Sequence, residues 1–598
     1  MMSARSLFSL AIASLLVACQ PADRGSEETS RSGLDLTIRS TEHREGDDLL
    51  SAGLGLDGLT SEAPRPADPD APDAAELRRL AIYKAWNGIY SLTPAGGVGG
   101  LLDDLPTIPG REFQALVKVE DATHPIRILV QLPDDFDTEK PCLVVAPASG
   151  SRGVYGAIAF AGPWALPAGC AVAYTDKGAG TDFFDYSDSS GTGLDGRRVH
   201  ADEGALAFRP EAAPESDAGS EVIALPHVHS GDNPEADWGH HVLRAAKLGL
   251  QILSMELTEQ INPDNTRIIA AGLSNGGGAV LRAAELDDQG LLDAVVAVAP
   301  NITAPEATPL FDAALAGALY QPCLLADPEA VADMPLGNPM LAALGEVRCE
   351  SLVQAGLLDA PEASAARDRL VEAGFDAPAL EQSAVNVALD LWRTIAASYA
   401  SAYLRRGAFD MPCGYRYSAA DASTAQRQSW WATHSGIGPG EGIVLDDAMA
   451  EGQDSTLPGL LCLHELRMGE EAEAERLDQG IEATRATAEL PDIPVVVIHG
   501  RDDGLVPVAL SSRPYVELSR ENGARLAYWE VADAQHFDVL LAAPGVAGRY
   551  VPLLPYGWHA LDHIGAVLDG RQALGEDRRI DPDPARAGQP LREADLGL

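Results

Sequence analysis

One serine lies where a strand is predicted to turn sharply into a helix, a setting that suits a nucleophile. The pentapeptide Gly272-Leu-Ser274-Asn-Gly276 begins within the last two residues of an apolar segment at 267–273 and leads into a Gly- and Ala-rich segment. A sharp turn of this kind holds the serine at a strained dihedral angle and requires small neighbours, a need that Gly272, Gly276 and Gly277 meet. Ser274 is therefore the candidate nucleophile.

A serine hydroxyl also requires a base within hydrogen-bond reach and an acid that orients the base. His536, in Ala-Gln-His-Phe-Asp, follows a strand-like segment and is the candidate base. Asp503, in His-Gly-Arg-Asp-Asp-Gly-Leu-Val-Pro, is the candidate acid, and its neighbour Asp502 is the alternative. The order serine, acid, histidine is that of α/β-hydrolases, so we expect Ser274, Asp503 and His536 to meet.

Acyl transfer also requires two backbone N–H groups that point at the developing oxyanion. One is expected at Asn275, directly after the nucleophile and at a helix N-terminus. The second normally comes from a loop after an early strand, here the Gly-rich segment 147–156, in which Ser149 is the candidate. A flexible surface turn is the alternative interpretation of this segment.

A group of histidines, with one carboxylate among them, is the best candidate for a metal site. It comprises His227, His229, Asp232, His240 and His241. Imidazoles and a carboxylate are ordinary zinc ligands, but neither a cysteine nor a Glu-x-x-His pair completes this set. We therefore expect no catalytic metal and no cofactor, and we interpret these histidines as part of the cleft wall or of a satisfied core network.

The elements that must position these residues alternate in the manner of a parallel sheet covered on both faces. Apolar strand-like segments lie at 113–119, 127–132, 142–147, 170–175, 267–273, 295–300, 494–498 and 525–531. Helical periodicity occupies 238–257 and 275–285. The pattern stops after Asn301 for a helix-rich block, which includes an amphipathic segment at 383–405, and then resumes. We predict an α/β-hydrolase fold, mostly parallel, with a large helical cap inserted over one edge of the sheet.

These patterns divide the chain into six parts. They are a signal peptide at 1–19, a flexible tether at 20–75, the first part of the core at 76–301, the cap at 302–490, the second part of the core at 491–575 and a loose tail at 576–598. The tether is rich in Gly, Ser, Pro and acidic residues, which is typical of a linker.

The first residues combine Arg5, an apolar run and the sequence Leu-Val-Ala-Cys19, which resembles a bacterial lipobox. Cys19 is therefore the predicted lipid attachment site. We expect an exported protein, either an outer-membrane lipoprotein or a periplasmic or extracellular one, and contact with a membrane only through this anchor. The alternatives are a plain secretory signal peptide and a frayed apolar terminus with a chance cysteine.

The remaining six cysteines are an even number, as an oxidising compartment favours. Pairing neighbours closes the shortest loops and predicts Cys142–Cys170, Cys323–Cys349 and Cys413–Cys462; unpaired thiols are the alternative. The 43 Lys and Arg against 89 Asp and Glu give a formal charge of −46. A chain this acidic is repelled by polyanions, so we expect no nucleic-acid partner.

Several segments together resemble the bacterial D-3-hydroxybutyrate oligomer hydrolases. They lie at 148–156, 174–178, 233–239, 272–285 and 534–538, where the most specific combination is Ser274-Asn-Gly-Gly-Gly with Lys177 and Trp238. The resemblance implies a serine esterase that releases 3-hydroxybutyrate from soluble dimers and oligomers during polyhydroxybutyrate breakdown. A small-molecule ester would then be the substrate.

Two other functions remain open from the sequence. A secreted esterase of feruloyl, tannin or lipid esters would keep the same three catalytic residues, whereas a surface binding lipoprotein on a degenerate hydrolase scaffold would lack one. Because hydroxybutyrate oligomers end in a carboxylate, Arg152 or Lys177 is a candidate for selecting chain ends; this hypothesis rests on their positions near the predicted site loops.

Overall fold

The computed structural model describes most of the chain, including every predicted site residue except Cys19. The described residues are 27–30, 36–44, 46–93, 96–102, 104–120, 122–258, 260–543, 545–583 and 589–598. The predicted signal peptide and its lipid attachment site lie outside them and stay predictions.

The main sheet has eleven strands in the described part of the chain. Named β1 to β11 in chain order, they are Glu27–Ser30, Thr37–His43, Gly110–Val117, Ile126–Pro133, Cys142–Pro147, Ala171–Thr175, Arg267–Leu273, Ala294–Val298, Val495–Gly500, Leu526–Val531 and Arg578–Ile580. Their order across the sheet is β1-β2-β3-β4-β6-β5-β7-β8-β9-β10-β11. The first four pairs in this order, from β1–β2 to β4–β6, are antiparallel. The other six, from β6–β5 to β10–β11, are parallel.

Eighteen α-helices accompany the strands in the same described residues. Named α1 to α18 in chain order, they are Gly55–Leu59, Ala74–Asn87, Ile158–Ala165, Pro226–His229, Pro234–Glu256, Asn275–Leu286, Leu310–Leu324, Pro328–Asp333, Pro339–Gln354, Ala363–Glu372, Ala377–Leu380, Ser383–Ala388, Leu391–Tyr403, Thr424–Ser429, Leu457–Met468, Ala472–Glu482, Ser512–Glu521 and Leu554–Leu568. One core joins the sheet to α2, α3 and α18, and a second core joins its other face to α5, α6 and α17. The sheet is therefore covered on both sides, which explains the continuous apolar runs of β7 and β8.

The helix-rich block predicted between two parts of the sheet lies between β8 and β9. It contains α7 to α16 and a small antiparallel pair, Tyr415–Ser418 with Val444–Asp447. Its helices form a third apolar core, which also includes Phe183, Ile223, Leu225 and Val228 from the chain before β7. The amphipathic segment predicted at 383–405 is two helices rather than one, since Asp390 adopts a left-handed conformation with φ of 49° between α12 and α13. The α/β-hydrolase fold with a helical cap is confirmed.

A second small sheet lies between β6 and α4, and the sequence analysis did not predict it. Its strands are Phe184–Asp185, Ser190–Thr192, Arg198–His200 and Ile223–Ala224. Strands of two or three residues are too short to show an alternating pattern, so periodicity could not indicate them.

The predicted flexible tether at 20–75 is wrong for the residues described from 36 onward. Strand β2 pairs with β3, and Leu49 and Leu50 are fully buried. The polar composition misled because acidic residues of this segment have partners in the fold: the buried Asp48 carboxylate accepts the Leu50 N–H at 2.8 Å, and the Asp47 carboxylate binds the Arg78 guanidinium at 2.6 Å. Buried charges of this kind are tolerated when they are paired.

The predicted loose tail at 576–598 is also wrong where the structure describes it. Strand β11 pairs with β10 and extends the sheet, and Leu591 and Leu596 are fully buried against the core. These few apolar residues in a charged segment are enough to attach it.

The three predicted disulfides, Cys142–Cys170, Cys323–Cys349 and Cys413–Cys462, are all present. The first joins β5 to the start of β6, and the other two lie within the cap. Among the residues described, no helix has the length and apolar composition needed to cross a membrane.

Candidate active site

Ser274 occupies the strained turn between β7 and α6 that the sequence predicted. Its φ of 58° and ψ of −124° are rare for a residue with a side chain. A Cβ on Gly272 would lie 2.1 Å from the carbonyl oxygen of Gly276, and one on Gly276 would lie 2.5 Å from that of Pro147. The backbone segments approach so closely that only glycine fits at these two positions.

His536 lies in the loop after β10 and links Ser274 to Asp503. Its Nε2 is 3.0 Å from the Ser274 Oγ, and its Nδ1 is 2.6 Å from the Asp503 Oδ2. A hydroxyl, an imidazole and a carboxylate therefore form one continuous hydrogen-bonded chain. This arrangement can move a proton from the serine to the histidine while the carboxylate fixes the ring.

Asp503 is fully buried and is held by several donors. Its Oδ1 accepts the backbone N–H groups of Leu505 at 2.9 Å and Val506 at 2.7 Å, and His499 Nε2 lies 3.2 Å from its Oδ2. Burial alone would raise the pKa of Asp503, but the charge of His536 and hydrogen bonds from His499 and His536 hold it well below its usual value. The carboxylate therefore stays ionised.

The neighbouring Asp502 has a different environment. Burial and the charge of Asp533 raise the pKa of Asp502 to about 6. In the described residues, no hydrogen bond joins Asp502 to His536, whereas Asp503 makes a short one. Of the two aspartates that the sequence left as candidates, Asp503 is the one brought to the histidine.

The two predicted oxyanion donors, Asn275 and Ser149, both line the cavity that Ser274 faces. Asn275 is the first residue of α6, so its N–H is one of those that a helix leaves without an intrahelical partner. Its side chain is fixed by Asn301 Nδ2 at 3.1 Å and by the Tyr399 hydroxyl of the cap at 3.3 Å.

The loop that carries Ser149 is a buried structure rather than a flexible surface turn. Gly150 has a φ of 52°, and the Lys177 Nζ donates a hydrogen bond of 2.6 Å to its carbonyl oxygen. The Ser151 hydroxyl is 2.7 Å from the His227 Nδ1. The loop is therefore braced from behind by one lysine and one histidine.

Three of the four histidines considered as metal ligands make separate contacts in the core, and the fourth, His240, is exposed. His227 packs against Tyr399, His229 Nδ1 accepts the Leu225 N–H at 3.0 Å, and His241 Nδ1 lies 2.8 Å from the Lys177 carbonyl oxygen. Burial lowers the pKa of both His227 and His229 to about 3. No cluster of three or more potential ligands that could hold a metal ion occurs among the residues described.

The cavity above Ser274 has a volume of about 450 Å³ and lies between the core and the cap. The core contributes Ser149, Arg152, His536 and Leu540, and the cap contributes a wall that is mainly apolar. The cap residues on this wall are Leu310, Leu389, Leu391, Thr394, Ile395, Tyr399, His434, Ser435, Ile437 and Gly438. A cavity of this size suits a small organic ligand.

Comparison with known proteins assigns the family. The sequence model of a family described as 3HB-oligomer hydrolase (3HBOH) matches residues 15–595. The chain belongs to this family. It is thus a carboxylic ester hydrolase.

Curated relatives agree with this assignment. A D-(-)-3-hydroxybutyrate oligomer hydrolase of Albidiferax ferrireducens is 35% identical, over 88% of this chain and 85% of that protein. A D-(-)-3-hydroxybutyrate oligomer hydrolase of Paracidovorax citrulli is 33% identical, over 91% of this chain and 88% of that protein. Candida antarctica lipase A is similar in structure, with 12% identity, a TM-score of 0.33, and coverage of 82% of this chain and 84% of that one.

Lys177 and Arg152, the two cations that the sequence placed near the site of this 3HB-oligomer hydrolase family member, differ in their access to the cavity. Lys177 is fully buried behind the Ser149 loop, where its Nζ also lies 5.1 Å from the Trp238 ring. Arg152 lines the cavity itself. Of the two candidates for contact with a substrate carboxylate, only Arg152 faces the substrate space.

A buried polar network beneath the nucleophile was missed by the sequence analysis. The Glu235 carboxylate accepts hydrogen bonds from Asn301 Nδ2 at 3.2 Å and from the Tyr403 hydroxyl, and Asn301 also binds the side chain of Asn275. Burial raises the pKa of Glu235 to about 7. Glu235 lies in the first turn of α5 beside a second acidic residue, Asp237, and acidic residues are common at helix N-termini, so no local signal marked it.

Proposed function

We propose that this hydrolase cleaves soluble D-3-hydroxybutyrate dimers and oligomers to 3-hydroxybutyrate through an acyl-enzyme on Ser274. The observation that supports this proposal most directly is the continuous chain of hydrogen bonds from Ser274 through His536 to Asp503, beside a cavity that Ser274 and His536 line. The names of the family and of its curated relatives support the choice of substrate.

In the first half of the reaction, the Ser274 oxygen attacks the ester carbonyl carbon while His536 Nε2 takes the serine proton. The negative charge that forms on the carbonyl oxygen is bound by the amides of Asn275 and of the Ser149 loop. Asp503 stabilises the imidazolium. The carbon–oxygen bond to the alcohol then breaks, and His536 gives its proton to the leaving oxygen, which becomes the hydroxyl of one freed 3-hydroxybutyrate unit.

In the second half, water replaces the alcohol. His536 takes a proton from the water as its oxygen attacks the acyl carbon, and the same two amides bind the oxyanion again. Collapse of this intermediate returns the proton to Ser274 and releases the acyl group as a free acid. All the groups used belong to the chain, so we expect no cofactor and no metal requirement.

The experiment that tests the proposal is product analysis with purified 3-hydroxybutyrate dimer and trimer. We expect the wild type to release monomer and Ser274→Ala to lose at least about 10³-fold in kcat. Feruloyl, tannin and lipid esters form the comparison panel, since a general secreted esterase would prefer one of these. An organophosphonate should label the wild type and not the variant, and absence of labelling would favour a binding protein.

We also propose that the protein is exported and attached to a membrane through Cys19. The three disulfides support export, since such bonds persist mainly in oxidising compartments. Growth with labelled palmitate should label the wild type and not Cys19→Ala. A wild type that stays unlabelled and fractionates as a free protein would favour a plain secretory signal instead.

A further inference from the structure

Arg152 is a buried cation with no anionic partner among the described residues. Its side chain donates only to backbone carbonyls, those of Lys84 at 3.2 Å and Ala85 at 3.3 Å, and its buried Nε has no partner. Most other buried arginines here are paired with carboxylates, as Arg78 is with Glu112 and Arg127 with Asp182. A buried, unpaired guanidinium is costly unless an anion binds it.

We propose that Arg152 binds the free carboxylate at the end of the substrate, so that the enzyme cleaves the ester bond nearest the carboxyl terminus. This inference rests on the proposed function. It assigns to the cavity a carboxylate-binding subsite on the leaving-group side of Ser274, and it makes Arg152 a specificity-determining residue.

The composition of the cavity wall supports an anionic ligand. The chain carries 89 acidic residues and a formal charge of −46, yet no aspartate or glutamate occurs among the described residues that line this cavity. Arg152 is therefore free of a competing carboxylate on this wall. A buried guanidinium such as that of Arg152 binds a carboxylate strongly, often through two parallel hydrogen bonds.

The space beside the guanidinium is kept open by a glycine. A Cβ on Gly88 would lie 2.4 Å and 2.5 Å from the two terminal nitrogens of Arg152, and Gly88 also lines the cavity. The nearby His434 does not compete as a cation, because burial and the charges of Arg152 and Lys84 lower its pKa to about 4. Its Nδ1 is instead 3.0 Å from the Lys84 carbonyl oxygen.

The chemistry of the substrate explains why this position selects a chain end. In a 3-hydroxybutyrate dimer the leaving alcohol is itself a hydroxy acid. A single methylene group therefore separates its carboxylate from the carbon that bears the ester oxygen. Arg152 belongs to the same loop as Ser149, the candidate oxyanion donor. An ionic contact here would align the last ester bond of any oligomer with Ser274, whatever the length of the acyl part.

The test compares the free-acid dimer with its neutral methyl ester for the wild type and Arg152→Gln. We expect the ratio of kcat/KM, free acid over methyl ester, to fall about ten- to hundredfold in the variant, because a charge-assisted hydrogen bond is lost. Arg65→Gln, at an exposed arginine, is the matched control and should leave the ratio unchanged.

A purely structural role for Arg152 predicts a different result. Its bonds to Lys84 and Ala85 also cap the last turn of α2, and loss of this cap alone would lower activity on both substrates equally. An unchanged ratio in Arg152→Gln would therefore overturn the proposal. Partial recovery of the ratio in Arg152→Lys would support it.

A measurement on the wild type alone keeps the proposal testable if the variants do not fold. 3-Hydroxybutyrate should inhibit hydrolysis competitively at least about tenfold more strongly than the isosteric 3-hydroxybutyramide; equal inhibition would contradict an anion subsite. Failure of the proposed function is distinguishable, since the wild type would then hydrolyse neither dimer.

Discussion

At the residue scale, two adjacent carboxyl groups at the site have opposite electrostatic environments. Asp503 accepts two backbone N–H groups and contacts two histidines, whereas Asp502 is partly buried near the charge of Asp533. Donors stabilise the ionised form of Asp503, and burial with a like charge disfavours that of Asp502. The two groups should therefore contribute to stability with opposite dependence on pH.

For Asp503 the folded pKa lies below the ordinary value of 3.8, so its stabilising contribution is complete above pH 3.8. That contribution is lost as the pH falls from 3.8 toward the folded pKa. We expect Asp503→Asn to be less stable than the wild type at pH 7, and the difference in melting temperature to shrink below about pH 4. Thermal unfolding followed by circular dichroism at pH 7, 5, 4 and 3 measures this.

Asp502→Asn is the matched control with the opposite sign. In the wild type the pKa of the folded Asp502 carboxyl, about 6, lies above its ordinary value of 3.8, so the wild type loses stability as the pH rises from 3.8 through 6. The variant should therefore gain stability relative to the wild type over that interval. A constant difference between wild type and variant at either position would contradict the assigned environments.

Lys177 positions the loop that carries Ser149, the predicted second oxyanion donor, since its Nζ donates a hydrogen bond to the Gly150 carbonyl oxygen. Lys177→Met should lower kcat by about tenfold or more with little change in KM, because a misplaced donor weakens binding of the transition state rather than of the substrate. Lys247→Met, on the exposed side of α5, is the control and should behave as the wild type. A folding defect would give a different result. In that case Lys177→Met would lose thermal stability as well as kcat, and its kcat would recover at a lower temperature at which the variant is folded.

At the scale of elements, the turn from β7 into α6 depends on close backbone contacts around Gly278. A Cβ on Gly278 would lie 1.8 Å from the Asn301 carbonyl oxygen, and the Asn301 N–H bonds to the Ser274 carbonyl at 3.0 Å. We expect Gly278→Ala to lower the free energy of unfolding by about 2–3 kcal/mol and to reduce kcat, as overpacking displaces the strand end. Denaturant unfolding and steady-state kinetics measure the two effects.

The control for this prediction is a helical glycine with space around it. A Cβ on Gly565, inside α18, would lie 3.6 Å from a Trp164 ring carbon, an ordinary contact. Gly565→Ala should be neutral or stabilising by roughly 0.5–1 kcal/mol, because alanine favours the helix. Equal destabilisation at both positions would show that the contact at Asn301 is not the cause.

At the scale of the whole molecule, disulfides stabilise both the core and the cap. Cys323–Cys349 closes a loop with a sequence separation of 26 and joins α7 to α9. We expect the double variant Cys323→Ser/Cys349→Ser to lose about 3–4 kcal/mol of unfolding free energy, measured by urea denaturation under oxidising conditions. Wild type treated with dithiothreitol should lose at least as much. Identical curves for oxidised wild type and double variant would contradict the prediction.

The sequence by itself determined the candidate catalytic residues and the alternation of elements. Ser274, His536 and the Asp502–Asp503 pair could be chosen because a strained strand-to-helix turn requires its glycines, and a serine nucleophile requires a base and an acid in a known order. Strands such as β5 and β7 have the bounds that their apolar runs indicated, since a strand buried on both faces must be apolar throughout. Pairing neighbouring cysteines gave the three disulfides.

Only the tertiary structure decided between groups whose local sequences are equally suitable. It selected Asp503 over Asp502 because one of them reaches His536, and it placed Lys177 behind a loop and Arg152 in the cavity. It also attached segments that composition marked as loose, because β2 and β11 are held by partners distant in the chain. Burial and long-range pairing depend on which residues fold back to meet, and no local pattern records that.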